Sequence, residues 1–277
     1  MTKGKKWFMA GVLILSLSAF LYGENHRLTV TAVLVEDEKI PAGFGGYRIL
    51  QLSDLHGQTF GKDQTRLLAK IQKLDPHLIV ITGDFLDQKT TDLRALEDLT
   101  GDLLEVAPVY VVSGNHEGGP LGEKLLQRME KLGARVLRNE AVLLTHAGDE
   151  LLLAGLSDPV LQIGDFQEAL KTLSQETAEA PYRILLAHRP EYLPDYAEAS
   201  WNLVFSGHAH GGQFRLPGIG GLVAPGQGFF PPWDAGLQEA GDTLMMVSRG
   251  LGNSIIPQRL GNPPELVLVT LRHLSAP

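Results

Sequence analysis

Two histidines, His208 and His210, stand in the run Ser206-Gly207-His208-Ala209-His210-Gly211-Gly212-Gln213, directly after the apolar residues Leu203-Val204-Phe205. A buried strand breaking into a tight glycine-rich loop accounts for that order. Along an extended segment both imidazoles would point to one side, and the flanking glycines would let the backbone approach an ion or a phosphate. Two loop histidines by themselves are more often ordinary surface residues; the rest of the chain changes the balance. Ser53-Asp54-Leu55-His56 follows the strand-like run ending at Leu52, and Thr82-Gly83-Asp84 follows Leu78-Ile79-Val80-Ile81. Ser113-Gly114-Asn115-His116-Glu117 follows Val109-Tyr110-Val111-Val112, and Ala187-His188-Arg189-Pro190 follows Ile184-Leu185-Leu186. These clusters supply carboxylate, amide and imidazole donors. A mixed oxygen and nitrogen set suits borderline divalent ions, and two such ions roughly 3.5–4 Å apart need a shared anionic ligand. His116, beside the donor Asn115, suits a general acid or a cation over a phosphate. The plainer alternatives are Asn115 as a turn cap and His188 as a strand-end histidine; His26, His77, His146 and His273 lie outside the clusters and read as structural.

The elements that must position these groups alternate. Between the first three clusters, Leu67, Leu68, Ile71 and Leu74 recur at helical spacing and stop before Pro76, and a second helical stretch runs from about Thr91 to Glu105. A third spans Leu121 to Leu132. Strand followed by helix, repeated, predicts an α/β sheet with the polar clusters at one edge, where sites of such sheets are built. The second half adds a hairpin of Ala141–Thr145 with Leu151–Ala154, a helix near Asp165 to Leu173, and strands at 182–186, 201–205, 244–248 and 265–271, with another at 28–35. The stretch Leu216 to Trp233 is rich in proline, carries Phe229, Phe230 and Trp233, and is the candidate selector of substrate.

Composition sets the bounds. With 277 residues, 44% hydrophobic and 20% charged, the chain can bury one sizeable core. The formal charge is −8, and without the first twenty-three residues, which hold Lys3, Lys5 and Lys6 but no acid, it is −8 − 3 = −11. No nucleic-acid partner is expected of so acidic a body. The absence of cysteine excludes disulfides, thiolate metal sites and thiol nucleophiles, and there is no Gly-x-Ser-x-Gly elbow or phosphate-binding P-loop. At the amino terminus, Lys3-Gly4-Lys5-Lys6 precedes an apolar run from Trp7 to Tyr22. Residues 1–23 read as an uncleaved signal anchor in preference to a cleaved signal peptide, because bulky Phe20, Leu21 and Tyr22 follow the small residues. Residues 24–277 are then the folded domain, and the lysines place it extracytoplasmically.

The ordered set Asp-x-His, Gly-Asp, Gly-Asn-His-Glu, a lone strand-end His and Gly-His-Ala-His resembles the calcineurin-like metallophosphoesterase family. The similarity runs from about Tyr47 to Leu271 and takes in Gly211-Gly212-Gln213, Ser248-Arg249-Gly250 and Pro264-Glu265. It is closest to the membrane-anchored or secreted bacterial branch. The resemblance implies an α/β fold, a four-layer α/β/β/α metallophosphoesterase sandwich, with two divalent metal ions at the sheet ends. Asp54, His56 and His210 would hold one ion, Asn115, His188 and His208 the other, and Asp84 would bridge them; manganese is preferred, with iron, zinc or magnesium as alternatives. Hydrolysis would proceed by a metal-bridging hydroxide with His116 as general acid. The phosphoester substrate is expected to be a phosphodiester of the cell envelope. Hydrolysis of UDP-2,3-diacylglucosamine in lipid A synthesis ranks second, because that substrate is cytosolic. A catalytically silent metal-binding interaction module would have lost a donor or His116, and all eight positions are intact. Three residues depart from the family pattern: Glu117 stands where aspartate is usual, Ala209 where threonine is common, and Arg189 where a small polar residue is frequent.

Overall fold

The computed structural model describes residues 2–161, 164–254 and 256–275. Its framework is two six-stranded sheets packed face to face. The first contains β1 (Thr29–Asp37), β2 (Arg48–Leu52), β3 (Leu78–Thr82), β4 (Val109–Val112) and β5 (Arg135–Val136), with helices α2 (Thr65–Leu74), α3 (Arg94–Leu104) and α4 (Pro120–Leu132) in its connections. The helix preceding β1 is α1 (Lys3–His26). The second sheet contains β6 (Glu140–His146), β7 (Asp149–Leu156), β8 (Arg183–Ala187) and β9 (Leu203–Ser206), with α5 (Phe166–Glu176) and α6 (Leu193–Glu198) between them. Two short hairpins follow, β10 (Arg215–Leu216) with β11 (Gly220–Gly221) and β12 (Val223–Ala224) with β13 (Gly228–Phe229). The chain then adds β14 (Gly236–Ala240) and β15 (Thr243–Val247) to the second sheet and returns to the first as β16 (Glu265–His273). The orders are β1-β16-β2-β3-β4-β5 and β14-β15-β9-β8-β7-β6.

Sheet strands buried on both faces need apolar residues at every position, which explains the unbroken runs. Leu50, Leu52, Ile79 and Ile81 meet Leu67, Ile71, Leu96, Leu99, Leu125 and Met129 of α2, α3 and α4. The alternate residues Ile49, Val80 and Val112 face Leu153, Ile184, Leu186, Leu203 and Phe205 across the gap between the sheets. Leu185, Val204 and Met245 pack outward on Leu170, Leu173 and Tyr196 of α5 and α6. Three apolar layers therefore separate four layers of secondary structure, the α/β/β/α sandwich. At roughly 1.5–3 kcal/mol for each fully buried Leu, Ile, Val or Phe, these layers carry the fold, and the polar strand ends are positioned by them.

The short strands β10 to β13, helix α6 and strand β14 were not legible as such. α6 is a single short turn-and-a-half with Pro194 at its start, and β14 is an edge strand whose alternation is only partly buried. Helix α1 leaves nearly all of its apolar side chains exposed and is long and apolar enough to cross a membrane.

Candidate metal centre

Both sheets deliver their polar clusters to the same end of the sandwich. Asp54 and His56 follow β2, Asp84 follows β3, Asn115 and His116 follow β4, His188 follows β8, and His208 and His210 follow β9. The strand ends are tied together by backbone hydrogen bonds: Asp54 N donates to Gly83 O (3.0 Å), His56 N to Asp84 O (3.0 Å) and Gly207 N to His188 O (3.0 Å). Beneath them the buried Gln51 amide donates to Thr82 Oγ1 (2.9 Å) and to Ser206 O (2.8 Å), joining the two sheets. Gly207 is required here, because a Cβ would collide with Ser53 Oγ and Asp54 Oδ2.

The most buried donors converge in two groups that share one carboxylate, and His56 also meets Asp87 and His116 in a third, less buried group. Asp54, His56, Asp84 and His210 bring one ligand atom each to within 4.8 Å of one another, and so do Asp84, His188 and His208. Asp84 Oδ2 lies 3.7 Å from His56 Nε2 and 3.4 Å from His188 Nε2, facing both groups at once. In the first group His56 Nε2 and His210 Nε2 are 3.1 Å apart, with Asp54 Oδ1 3.4 Å from His210 Nε2. In the second, His188 Nε2 is 3.1 Å from His208 Nδ1 and 3.3 Å from Asn115 Oδ1. Paired imidazole nitrogens closing on carboxylate and amide oxygens are the donor set of a borderline divalent cation, so the residues present fit two ions sharing Asp84. Supporting contacts aim several donors. His188 Nδ1 donates to Thr82 O (2.7 Å), which turns Nε2 inward, and Asp54 accepts from Ser53 Oγ (2.6 Å) and from His208 N (3.0 Å).

The electrostatics follow from burial. Desolvation pushes the Asp54 carboxyl up to about 6, against the pull of His188. Burial also takes His56 down to about 4 and His208 to about 2, and holds His210 well below the usual range. Burial opposes charge on Asp84 and on His188 as well, yet their mutual attraction wins: Asp84 is held far below an ordinary carboxylate and His188 is lifted to about 10. Three imidazoles thus present free lone pairs at neutral pH, and one carries a proton that a cation must displace.

The loop geometry differs from the alternation expected of His208 and His210. Both have left-handed backbone, with φ 64° and 49°, around a right-handed Ala209. No extended segment exists there, and the two rings serve different groups, His208 beside His188 and His210 beside His56. Asp54, His56 and Asp84 are left-handed too, with φ 50°, 46° and 53°. Backbone strain of this kind collects at functional sites and persists where the surroundings over-determine it.

His116 sits half-buried on the wall of a cavity of about 400 Å³ whose floor is His56, Asp84, Asn115, His208 and His210. Its backbone N–H donates to Asp84 Oδ1 (2.9 Å), and its ring stands edge-on to His56 with centroids 4.5 Å apart. Among the described residues its Nδ1 has no hydrogen-bond partner. The remaining walls are Asp87, Gln88, Lys89, Pro225, Asn253 and Ser254. Only Pro225 comes from the expected selector, while Phe229 and Phe230 stay 81% and 65% exposed. Asp87–Lys89 and Asn253–Ser254 form no motif in the sequence; the one available signal is Asp87 three residues after Asp84. The four histidines outside the clusters have structural partners: His77, for example, accepts from Arg48 N (2.9 Å) and stacks on Tyr47.

Two of the unusual residues have clear work. The buried Glu117 carboxylate accepts from four backbone N–H groups, those of Gly114 (2.7 Å), Asp84 (2.8 Å), Phe85 (2.9 Å) and Leu86 (3.3 Å), stapling the β3 loop to the β4 loop. Arg189 turns away from the cavity floor into a two-pronged pair with Asp158 (2.8 and 3.2 Å). Nothing in the structure explains Ala209.

A sandwich with paired carboxylate and imidazole groups on its strand ends defines a metallophosphoesterase. The family model for calcineurin-like phosphoesterases matches residues 47–212, and the chain belongs to that family. An uncharacterised metallophosphoesterase of Bacillus subtilis, YkuE, is 32% identical over 257 residues, covering 91% of this chain and 88% of that protein. The phosphodiesterase YaeI of Escherichia coli is 30% identical, with 81% and 82% covered. A transmembrane protein with metallophosphoesterase domain from Bos taurus is 32% identical, covering 88% of this chain and 57% of its own length.

Proposed function

We propose that this metallophosphoesterase is a phosphodiesterase of the cell envelope, held to the membrane by α1 with its catalytic domain on the extracytoplasmic side. The observation that carries the reading is the position of Asp84 Oδ2 between the His56 and His188 groups at the floor of an open cavity. Asp54, His56 and His210 would hold one divalent ion, Asn115, His188 and His208 the other, with Asp84 shared and manganese preferred over magnesium by the imidazole-rich set. Two such ions supply Lewis acidity toward phosphoryl oxygens and a water of lowered pKa. The chain's own part is to fix the donors on strained strand ends, to leave one side of the site open to substrate, and to place His116 where it can give a proton to the departing oxygen. Similarity to a named phosphodiesterase supports diester over monoester chemistry. Rates on a chromogenic phosphodiester and the matching phosphomonoester, with manganese added to chelator-treated protein, test the reading. Preference for the monoester would overturn the diester assignment.

A further inference from the structure

The junction between α1 and the domain is not a tether. Glu24, buried, accepts from Asn262 N (3.3 Å). Asn25 Oδ1 accepts from Arg259 N (2.8 Å) and Gln258 Nε2 (3.2 Å), and Asn25 Nδ2 donates to Pro257 O (3.0 Å). Gln258 Nε2 also reaches Leu21 O (3.1 Å) inside the helix. The clamped segment is the one that braces the metal centre. Asn262 Nδ2 donates to His210 O (2.7 Å), and Gln213 Nε2, just past His210, donates to Ile256 O (2.9 Å) and Gln258 O (2.8 Å). A few residues before it, Asn253 and Ser254 form part of the cavity wall. The apolar run of α1 ends at Tyr22, so at 1.5 Å rise per residue the clamp lies only about 5 Å beyond it.

Beside the clamp, large apolar side chains project into solvent. Ile256 is 40% exposed, Ile219 at the β10–β11 turn 60%, Phe229 81% and Phe230 65%. These loops are joined to the clamped segment through Arg215 N to Leu260 O (2.9 Å), Leu222 N to Phe214 O (2.9 Å) and Phe230 N to Leu222 O (2.9 Å). The β12–β13 hairpin that ends in Phe229 also carries Pro225 into the cavity wall. Exposed aromatic and aliphatic side chains next to the end of an apolar helix are the composition of a surface that enters the headgroup boundary.

We infer that Ile219, Phe229, Phe230 and Ile256 form a bilayer-docking surface that α1, clamped through Glu24 and Asn25, holds against the membrane, so that the cavity receives phosphoesters from the headgroup layer. The inference rests on the anchoring role proposed for α1. It commits to lipid as the occupant because the surface adjoins the apolar helix through a junction with no slack.

The absence of cysteine makes the test clean, since single Phe230→Cys, Phe229→Cys, Leu15→Cys and Leu143→Cys variants of the full chain each take one environment-sensitive fluorophore. Leu143 is exposed on β6, the edge strand farthest from β14, and serves as the control. The variants are reconstituted in vesicles of equal phosphatidylcholine and phosphatidylglycerol, with or without a lipid-borne quencher, placed shallowly in the acyl region for positions 229, 230 and 143 and near the bilayer centre for position 15. Emission from positions 229 and 230 is expected to fall roughly twofold or more, as for side chains ~5–10 Å into the boundary, and position 143 to be unaffected. A flexible linker of about six residues inserted after Tyr22, adding on the order of 13 Å, should abolish quenching at 230 while sparing position 15. Quenching at 15 without quenching at 229 or 230 in the unaltered chain overturns the docking surface and leaves the anchor standing. No quenching at 15 removes the anchor and the inference together.

Discussion

Replacing Glu117 by glutamine probes the staple that holds Asp84 and Asn115 in register. The carboxylate offers two oxygens to four buried N–H groups, Oε2 to Asp84 and Gly114 and Oε1 to Phe85 and Leu86. An amide keeps one acceptor oxygen and turns an NH₂ toward the other two donors, whichever way it is flipped. Two buried N–H groups then face a donor, and leaving such a group unsatisfied costs about 1–3 kcal/mol. The expected loss is roughly 2–6 kcal/mol. For a chain of this size one kcal/mol moves Tm by about 2–4 °C, so Glu117→Gln should melt on the order of 10 °C lower, in the presence and in the absence of metal. The freed groups are Asp84 N and Gly114 N if the NH₂ takes the Oε2 position, or Phe85 N and Leu86 N if it takes Oε1; in either case the loop that carries Asp84 loses its hold, so metal affinity should fall as well, by about 10–100-fold as for other residues that support ligands. Glu117→Asp, short by one methylene, should fall between the two. Calorimetry with a manganese titration measures both effects. An unchanged Tm with unchanged metal affinity in Glu117→Gln would refute the staple.

Chelation should abolish phosphoester hydrolysis, with Mn²⁺ restoring it better than Mg²⁺, and Asp84→Asn should be the most damaging donor change because both groups share that carboxylate; full activity in metal-free protein would end the dimetal reading. If His116 protonates the leaving oxygen, His116→Ala should slow diesters of poor alkoxide leaving groups by about 10²–10⁴ and nitrophenolate esters far less, with metal content intact. Equal losses on both would assign His116 a positioning role instead. At pH 8, above the Asp54 and Glu117 carboxyls raised to about 6 and about 7, metal-free protein carries its site proton on His188, raised to about 10, while His56 and His208 are neutral. Loading should therefore release about one proton per protein, read by calorimetry in buffers of different ionisation enthalpy, and no release would contradict that assignment. The same depressed histidines contribute stability that is present above pH 6.5 and lost as pH falls through about 4, whereas Asp54, raised to about 6, contributes stability present below 3.8 and lost as pH rises through 6. Glu117, raised to about 7, acts in the same direction as Asp54; with His210 also depressed, three groups against two, the Tm of chelated protein should decline between pH 6.5 and 4.

The strands were legible because burial on both faces leaves unbroken apolar runs, and Leu50 to Leu52, Ile79 to Ile81 and Val204 to Phe205 could hardly be anything else. The five clusters were legible for the same reason: each follows directly on such a run. What the sequence could not display was direction. Alternation predicted that His208 and His210 share a side, but their left-handed φ values come from tertiary packing, with His208 N bonded to Asp54 and His210 O to Asn262. Nor could it show that Phe229 and Phe230 project outward, or that Asn253 and Ser254, remote in the chain and without a motif, form a wall of the cavity. Those placements depend on loop contacts such as Gln213 to Ile256, which no local pattern encodes.

Five of the proposed ligands, Asp54, His56, Asp84, His208 and His210, sit at positive φ, and the strain tells which came first, the site or the ion. A site assembled by its metal would leave its ligands on unconstrained loops, as in small domains that fold only when loaded. Here each strained residue is pinned by contacts independent of any ion: Asp54 by Gly83 O, and through its own carbonyl by Gly252 N (2.6 Å), His56 by Asp84 O, Asp84 by Glu117, His208 through its N–H by Asp54, and His210 by Asn262. Behind these contacts lie the apolar layers and the Gln51 bridge between sheets. The framework therefore holds the donor residues in backbone geometry that free loops would not prefer, with ring nitrogens 3.1 Å apart within each group and a carboxylate between the two groups. The spacing of the donors is thus set by the strand ends, while Pro225 and Asn253 stand on the cavity wall above them.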